Sequence, residues 1–256
     1  MNTTESQSRK NKSFFISDLH LGTPSLEQSL EREKKVLRWL QSVENEAKAI
    51  YLLGDIFDYW FEYRYVVPKG YVRLLGYLAL MADRGIDIHF FNGNHDLWTK
   101  DYFDRELGFH THTEPLITTI DNKTFYLAHG DGLDKADKKY IFIKHVFASR
   151  FNRFLYSLLH PYLATMIGKN LSKTSRKQHI TSDYIDKGEQ EAIFLFCKEH
   201  SKNHNVDFYV MGHRHIATDR EVSETTRYIN TGQWITESHY ACWDGENMTL
   251  CRYEDK

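Results

Sequence analysis

Residues 49–58 read Ala-Ile-Tyr-Leu-Leu-Gly-Asp-Ile-Phe-Asp: an apolar run, a glycine, then two carboxylates three positions apart. The run has strand length, and a glycine directly behind it lets the backbone turn and present Asp55 at the strand's end. Four other places follow the same rule. Phe14-Phe15-Ile16 precedes Asp18-Leu19-His20, and residues 86–91 precede Gly93-Asn94-His95-Asp96. Residues 124–128 precede His129-Gly130-Asp131, and residues 208–211 precede Gly212-His213-Arg214-His215. A sheet that carries such loops to one edge gathers Asp, Asn and His around a common point. A lone Gly-Asp or Gly-His pair is ordinarily a turn. The nine histidines outside the clusters, among them His89, His110, His200 and His239, are read as ordinary surface or core residues. Five coincidences at strand ends ask for more.

Between the first runs the apolar spacing turns helical. Val36, Leu37, Leu40 and Val43 mark a helix over Leu26–Val43, and a second spans Tyr71–Asp83 with Gly85 placed to end it. This βαβαβ alternation predicts parallel pairing through helical crossovers, with ligands bound outside the carboxyl ends of the strands. After Gly108 the pattern changes. Leu116–Ile120 and Lys123–Ala128 read as a hairpin around Asp121-Asn122. Lys138–Leu171 reads as helical, broken at His160-Pro161; a helix over Thr181–His200 leads into a strand over 206–211; and Ala217–Tyr253 alternates like a β-meander.

A chain of 256 residues holds one well-buried α/β domain, here expected over 13–256, after a polar, disordered tail at 1–12. That tail has no apolar core of a secretory signal, and no apolar run approaches the roughly 20 residues that span a bilayer. Cys197, Cys242 and Cys251 have no metal-type spacing and read as reduced thiols, which points to the cytosol. The net charge of −2 hides an asymmetry. Residues 138–182 hold nine of the 33 Lys/Arg and none of the 35 Asp/Glu, so the rest of the chain sits at −11. Such segregation fits an anionic partner at one face.

Two cations about 3.5–4 Å apart clamp a phosphoryl group by holding both the attacking and the leaving oxygen. The pair needs a bridging carboxylate and O and N ligands. Asp55 is the natural bridge, with Asp18, His20 and His215 completing one position and Asn94, His129 and His213 the other. Mixed carboxylate and imidazole ligation suits manganese, with iron or zinc as alternatives. Asp58, Asp96 and Asp131 stand one to three residues from these ligands, as acceptors that orient imidazoles do. His95 follows Asn94 and is expected to face the substrate, stabilising charge or protonating the leaving group. Asp55 and His95 are the expected catalytic residues.

In this order, DxH, GDxxD, GNHD, a lone His-Gly and GHxH resemble the motif set of the calcineurin-like metallophosphoesterases over Phe14–Tyr240. The resemblance implies a four-layer αββα sandwich and attack on phosphorus by a water that the metals activate. Within that family, Gly54–Phe61, His129–Leu133, Tyr228–Ile235 and a helical insertion over about 134–180 are similar to the UDP-2,3-diacylglucosamine pyrophosphatases of lipid A synthesis. The insertion carries Asp137, Tyr140, His160-Pro161 and Ser172–Arg176. This likeness implies hydrolysis of UDP-2,3-diacylglucosamine to UMP and 2,3-diacylglucosamine 1-phosphate. It assigns substrate contacts to Asn94, His95, Asp137, Tyr140, Ser172, Arg176 and His213. Two positions depart from the pattern. The best-known branch has arginine after the ligand asparagine where this chain has His95, and Gln233 stands where an acidic residue is expected.

Phe147, Phe151, Phe154, Leu155, Leu158 and Tyr162 fall at helical spacing with Lys144, Arg150, Arg153 and Lys169 around them. One apolar stripe with a cationic fringe suits an acyl-chain groove beside a diphosphate or the anionic inner face of a membrane; packing onto the core is the plain alternative. The expected partners are therefore an anionic nucleotide-lipid and the membrane surface, with no nucleic acid and no obligate protein partner. A phosphodiesterase or phosphatase of other specificity, and a non-catalytic scaffold on this fold, are the rival readings.

Overall fold

The computed structural model describes residues 10–134, 138–179 and 185–255. The first three apolar runs are β1 (Lys12–Ile16), β2 (Ala47–Leu52) and β3 (Asp87–Phe91), paired in parallel. Parallel neighbours need a crossover, supplied by α1 (Leu26–Val43) and α2 (Val72–Asp83). The Ser25 side chain starts α1 by accepting from Gln28 N at 3.2 Å. No side chain of its own caps α2. Instead the buried Glu33 of α1 accepts from Arg73 N at 2.9 Å and Leu74 N at 3.1 Å, so one helix caps the other. The expected tail overlaps this frame, since Asn11 N and Lys12 N both donate to Glu46 O; its residues before 10 lie outside those described.

Beyond β3, α3 (Tyr102–Leu107) leads to β4 (His110–His112), which pairs parallel with β3. The hairpin is β5 (Leu116–Ile120) and β6 (Lys123–Leu127), with Asp121 and Asn122 at φ of +48° and +65°, as a two-residue hairpin turn requires. The remaining strands are β7 (Phe208–Met211), β8 (Ala217–Ser223), β9 (Thr226–Thr231), β10 (His239–Trp243) and β11 (Met248–Arg252). They complete a six-stranded sheet, β11-β10-β1-β2-β3-β4, and a five-stranded sheet, β5-β6-β7-β9-β8. The tail is therefore two hairpins in different sheets, not one meander. Alternation marks a strand but not its neighbour.

The period of two along each strand builds the layers. Phe14, Ile16, Ile50 and Leu52 pack outward with Val36, Trp39, Leu40 and Leu78 of α1 and α2. Phe15, Tyr51 and Phe91 point the other way and meet Phe125, Leu127, Phe208 and Val210 between the sheets. Tyr126, Tyr209 and Met211 then pack on Ile193, Phe194 and Cys197 of α7 (Ala192–His200). The order is helix, sheet, sheet, helix. Each large apolar side chain buried this way contributes roughly 1.5–3 kcal/mol of transfer free energy.

Three helical expectations change. The helix expected over Thr181–His200 begins only at Ala192. Gly188 at φ +61° cannot propagate a helix and leaves a single 3-10 turn at Gly188–Gln190; residues 181–184 lie outside those described. Between β6 and β7, α4 (Lys138–Ala148), α5 (Arg150–Ser157) and α6 (Pro161–His179) replace the two expected pieces, and α6 runs past Leu171. The break at Pro161 is as read. The additional break is at Ser149, whose ψ of 123° leaves the helix and whose hydroxyl restarts it as an N-cap. The expected stripe is therefore divided. Phe147 turns inward against Trp98 at a ring separation of 5.6 Å, while Phe151, Phe154, Leu158 and Tyr162 are 58–71% exposed.

Candidate active site

All five clusters arrive at one edge of the sandwich. Asp18 N donates to Gly54 O and His20 N to Asp55 O, so the first two loops are stitched together. Gly93 and Gly212 sit where no side chain fits: an added Cβ would lie 2.2 Å from Asp55 Oδ1 at Gly93 and 2.5 Å from Asp18 Oδ2 at Gly212. Among the described residues, eight non-glycine positions have positive φ, and Asp18, His20, Asp55, His213 and His215 are five of them. Left-handed backbone costs such residues about 1–3 kcal/mol each and survives where the surroundings over-determine it, typically at functional sites.

The seven side chains read as ligands meet here. His20 Nε2 lies 3.6 Å from Asp18 Oδ1, 3.7 Å from Asp55 Oδ2 and 3.0 Å from His215 Nε2. His215 Nε2 is 3.2 Å from Asp18 Oδ1. On the other side His129 Nε2 lies 3.4 Å from Asp55 Oδ2 and 3.2 Å from Asn94 Oδ1, which is 3.1 Å from His213 Nδ1. Asp55 stands between the two groups.

Electrostatics explains why such a set suits cations. Burial alone would raise both carboxyls. The His20 and His215 rings beside Asp18, and the His129 charge beside Asp55, prevail and hold both well below the usual carboxylate range. Burial pushes His20 down to about 4 and His213 to about 3, which keeps them neutral and able to donate a lone pair. His129 is opposed by burial, yet the Asp55 charge raises it to about 10. The field that holds a proton there would equally hold a metal in its place. Buried carboxylates, the neutral His20 and His213 rings, and an Asp18 Oδ1 met by imidazole nitrogens fit a pair of divalent cations.

The acidic residues expected to orient imidazoles behave differently from one another. Asp58 Oδ1 lies 3.8 Å from His20 Nδ1 and from His95 Nδ1, and it pairs with Arg176. Asp131 faces no ring nitrogen; it takes Tyr140 OH and Lys144 Nζ, both at 2.8 Å. Asp96 also holds no imidazole. Its carboxylate accepts four backbone N–H groups, from Gly93, Asp55, Ile56 and Phe57, and fastens two loops together. In sequence these three looked alike because all follow ligands closely; in the fold Asp58 and most of the Asp96 clamp find distant partners, while Asp131 turns to α4.

A cleft of about 300 Å³ opens over the site, with the charged and polar side chains of Asp55, His95, Arg176, Lys187, Arg214 and His213 in its walls. An apolar cavity of about 350 Å³ adjoins it beneath α4 and α6, lined by Tyr59, Leu97, Trp98, Ile143, Phe147 and Leu171. Asn94, His95, Tyr140 and Ser175 border both. Of the expected substrate contacts, Tyr140, Ser172 and Arg176 stand at this junction, and Asp137 lies outside the described residues. Part of the cationic fringe is turned inward, since Arg153 donates to Thr99 O at 2.9 Å and Lys144 to Asp131. Sequence reasoning missed Trp98, which bonds Phe147 O at 2.8 Å, and Gly168, where a Cβ would sit 2.0 Å from Tyr59 Cε2. Gln233 is explained: its Oε1 accepts from Ile235 N and Thr236 N, as a carboxylate there would.

A two-sheet sandwich with these motif loops at one edge places the chain among the calcineurin-like phosphoesterases; the sequence model of that family matches residues 12–217, and the chain belongs to it. Among curated relatives, a UDP-2,3-diacylglucosamine hydrolase of Porphyromonas gingivalis is 40% identical, over 96% of this chain and 99% of that protein. The UDP-2,3-diacylglucosamine hydrolase of Haemophilus influenzae is 26% identical over 87% and 90%. That of Nitrosococcus oceani is 34% identical over 50% and 49%.

Proposed function

We propose that this protein hydrolyses UDP-2,3-diacylglucosamine to UMP and 2,3-diacylglucosamine 1-phosphate. The observation that carries the reading is the divided cleft: a half walled by charged and polar side chains and a half walled by apolar ones meet at His95, beside the candidate metal ligands. A nucleotide diphosphate joined to an acylated sugar has that same division of polarity. The near full-length likeness to a named hydrolase supports the same substrate.

In this reading Asp18, His20, Asp55 and His215 would hold one divalent cation and Asp55, Asn94, His129 and His213 the other, manganese being the metal expected. When bound, the pair supplies an activated water and neutralises phosphoryl charge. Asp55 sets the spacing of the two positions. His95 stabilises charge at the reacting phosphorus or protonates the departing oxygen. Arg176 and Tyr140 bind from the insertion, which acts as a lid over 134–180 on a single domain. Arg176 also brings to the cleft a positive charge that the arginine absent at position 95 would have supplied.

The exposed Phe151, Phe154, Leu158 and Tyr162 then face the cytoplasmic side of the inner membrane, from which the substrate is drawn. Among the described residues no helix is long and apolar enough to cross a membrane.

The test is turnover of the manganese-loaded protein in ¹⁸O-labelled water. Label is expected in UMP, with UDP-2,3-diacylglucosamine preferred over bis-p-nitrophenyl phosphate; preference for the small diester would favour a phosphodiesterase of other specificity. In the same preparation, sedimentation with anionic vesicles is expected to drop in Phe151→Ser/Phe154→Ser. Equal sedimentation of the two proteins would remove the membrane assignment and leave the hydrolysis untouched.

A further inference from the structure

Helix α6 reaches the centre of the site from outside the sandwich. Gly168, Ser172 and Arg176 recur every four residues and so share one face. At Gly168 the helix lies directly on the buried Tyr59 ring, with no room for a Cβ, and this seat carries Ser172 inward. Ser172 Oγ lies 2.8 Å from His95 Nδ1. Arg176 Nη1 donates to the same Oγ at 2.9 Å and pairs with Asp58.

His95 Nδ1 is also 3.2 Å from the Asp58 carbonyl oxygen, and a carbonyl can only accept. A ring that carries its hydrogen on Nδ1 serves both oxygens, with Ser172 Oγ the nearer acceptor. The Asp58 carboxylate is 3.8 Å away, outside hydrogen-bond range, and Arg176 occupies it.

We infer that Ser172 is a positioning residue: it fixes the ring orientation and the Nδ1–H tautomer of His95, so that Nε2 is the nitrogen turned to the phosphoryl group, and His95 is aligned only while α6 is seated on Tyr59. This deepens the reading of His95 given above and rests on it. It differs from a substrate contact at Ser172, because the hydroxyl acts through the ring and its effect does not depend on what lies in the apolar cavity.

The experiment compares wild type, Ser172→Ala, Ser172→Thr and His95→Ala. In ¹⁵N-histidine spectra of zinc-loaded protein, the His95 Nδ1–H signal is expected in wild type and lost or broadened in Ser172→Ala. With manganese, kcat of Ser172→Ala is expected to fall about ten- to a hundred-fold, the usual effect of removing a partner that orients a site group. KM for UDP-2,3-diacylglucosamine stays close to its starting value, and the rate on bis-p-nitrophenyl phosphate, which has no acyl chain, falls in parallel. Ser172→Thr keeps the hydroxyl and recovers most of the rate. An altered KM for the nucleotide-lipid alone, with the His95 spectrum and the small-diester rate unchanged, would make Ser172 a substrate contact and overturn the inference. If His95→Ala turns over at the wild-type rate, the reading of His95 fails and takes the inference with it. If His95→Ala is inactive while Ser172→Ala is unaffected, only the inference fails.

Discussion

Asp55→Ala is expected to lose turnover and keep its fold. The carboxylate lies between the two groups of candidate ligands, 3.7 Å from His20 Nε2 and 3.4 Å from His129 Nε2. With it gone, both groups of candidate ligands lose the carboxylate they share, and the charge that holds His129 up at about 10 disappears as well. Metal ions contribute several kcal/mol to phosphoryl transfer, and each ~1.4 kcal/mol is tenfold in rate. A fall of roughly 10³-fold or more follows. The structural debt is small by comparison. Asp55 Oδ1 accepts the His95 N–H at 2.8 Å, and leaving that one donor unpaired costs about 1–3 kcal/mol against a typical domain stability of about 5–15. Metal content, kcat and a urea midpoint measured together check this. A metal-loaded Asp55→Ala protein running at the wild-type rate would end the two-cation account.

Much of this arrangement was legible in the chain because it is built from local signals. A strand that stops at a cluster, as residues 49–58 do, announces itself through apolar length and a glycine. Helix α1 shows its period over eighteen residues and ends where that period ends. The hairpin at Asp121-Asn122 declares its turn chemistry in two residues. What escaped notice is either short or distant. β4 has three residues and α3 six, too few for either period to register. Trp243 in β10 and Ile229 in β9 pack into the same core from different sheets, a difference that no alternation records. The meeting of the clusters could be expected from topology, since loops at the carboxyl ends of neighbouring strands share one edge of the sheet. The contact of Ser172 with His95 spans 77 residues and joins an ordinary helical serine to a motif histidine, so nothing near either residue points to it. Asp96 lay in plain view inside a motif, but its four partners are backbone groups, which every residue has.

That last residue supports the second large effect. Asp96→Ala is expected to lower stability and activity together. The side chain is fully buried. One oxygen accepts from Gly93 N at 2.7 Å and Asp55 N at 3.2 Å, the other from Ile56 N at 2.8 Å and Phe57 N at 3.2 Å. Truncation strands four buried donors at once. At about 1–3 kcal/mol each, less what relaxation returns, a loss of about 4 kcal/mol is expected, at the upper end for one substitution. For a chain of this size that lowers the melting midpoint by roughly 8–16 °C. Asp96→Asn keeps the volume but turns an NH₂ group toward one pair of donors, so it restores only the half of the clamp that its remaining oxygen can serve. Activity should follow the clamp: Asp55 and Asn94 sit on the two loops it joins, and excess metal cannot restore their spacing. Asp55→Ala differs: that variant is expected to lose metal content with its fold kept, whereas Asp96→Ala disturbs the backbone that presents the candidate ligands. An Asp96→Ala protein melting at the wild-type midpoint would mean that the four N–H groups find other partners, and the clamp would no longer explain how the site is held.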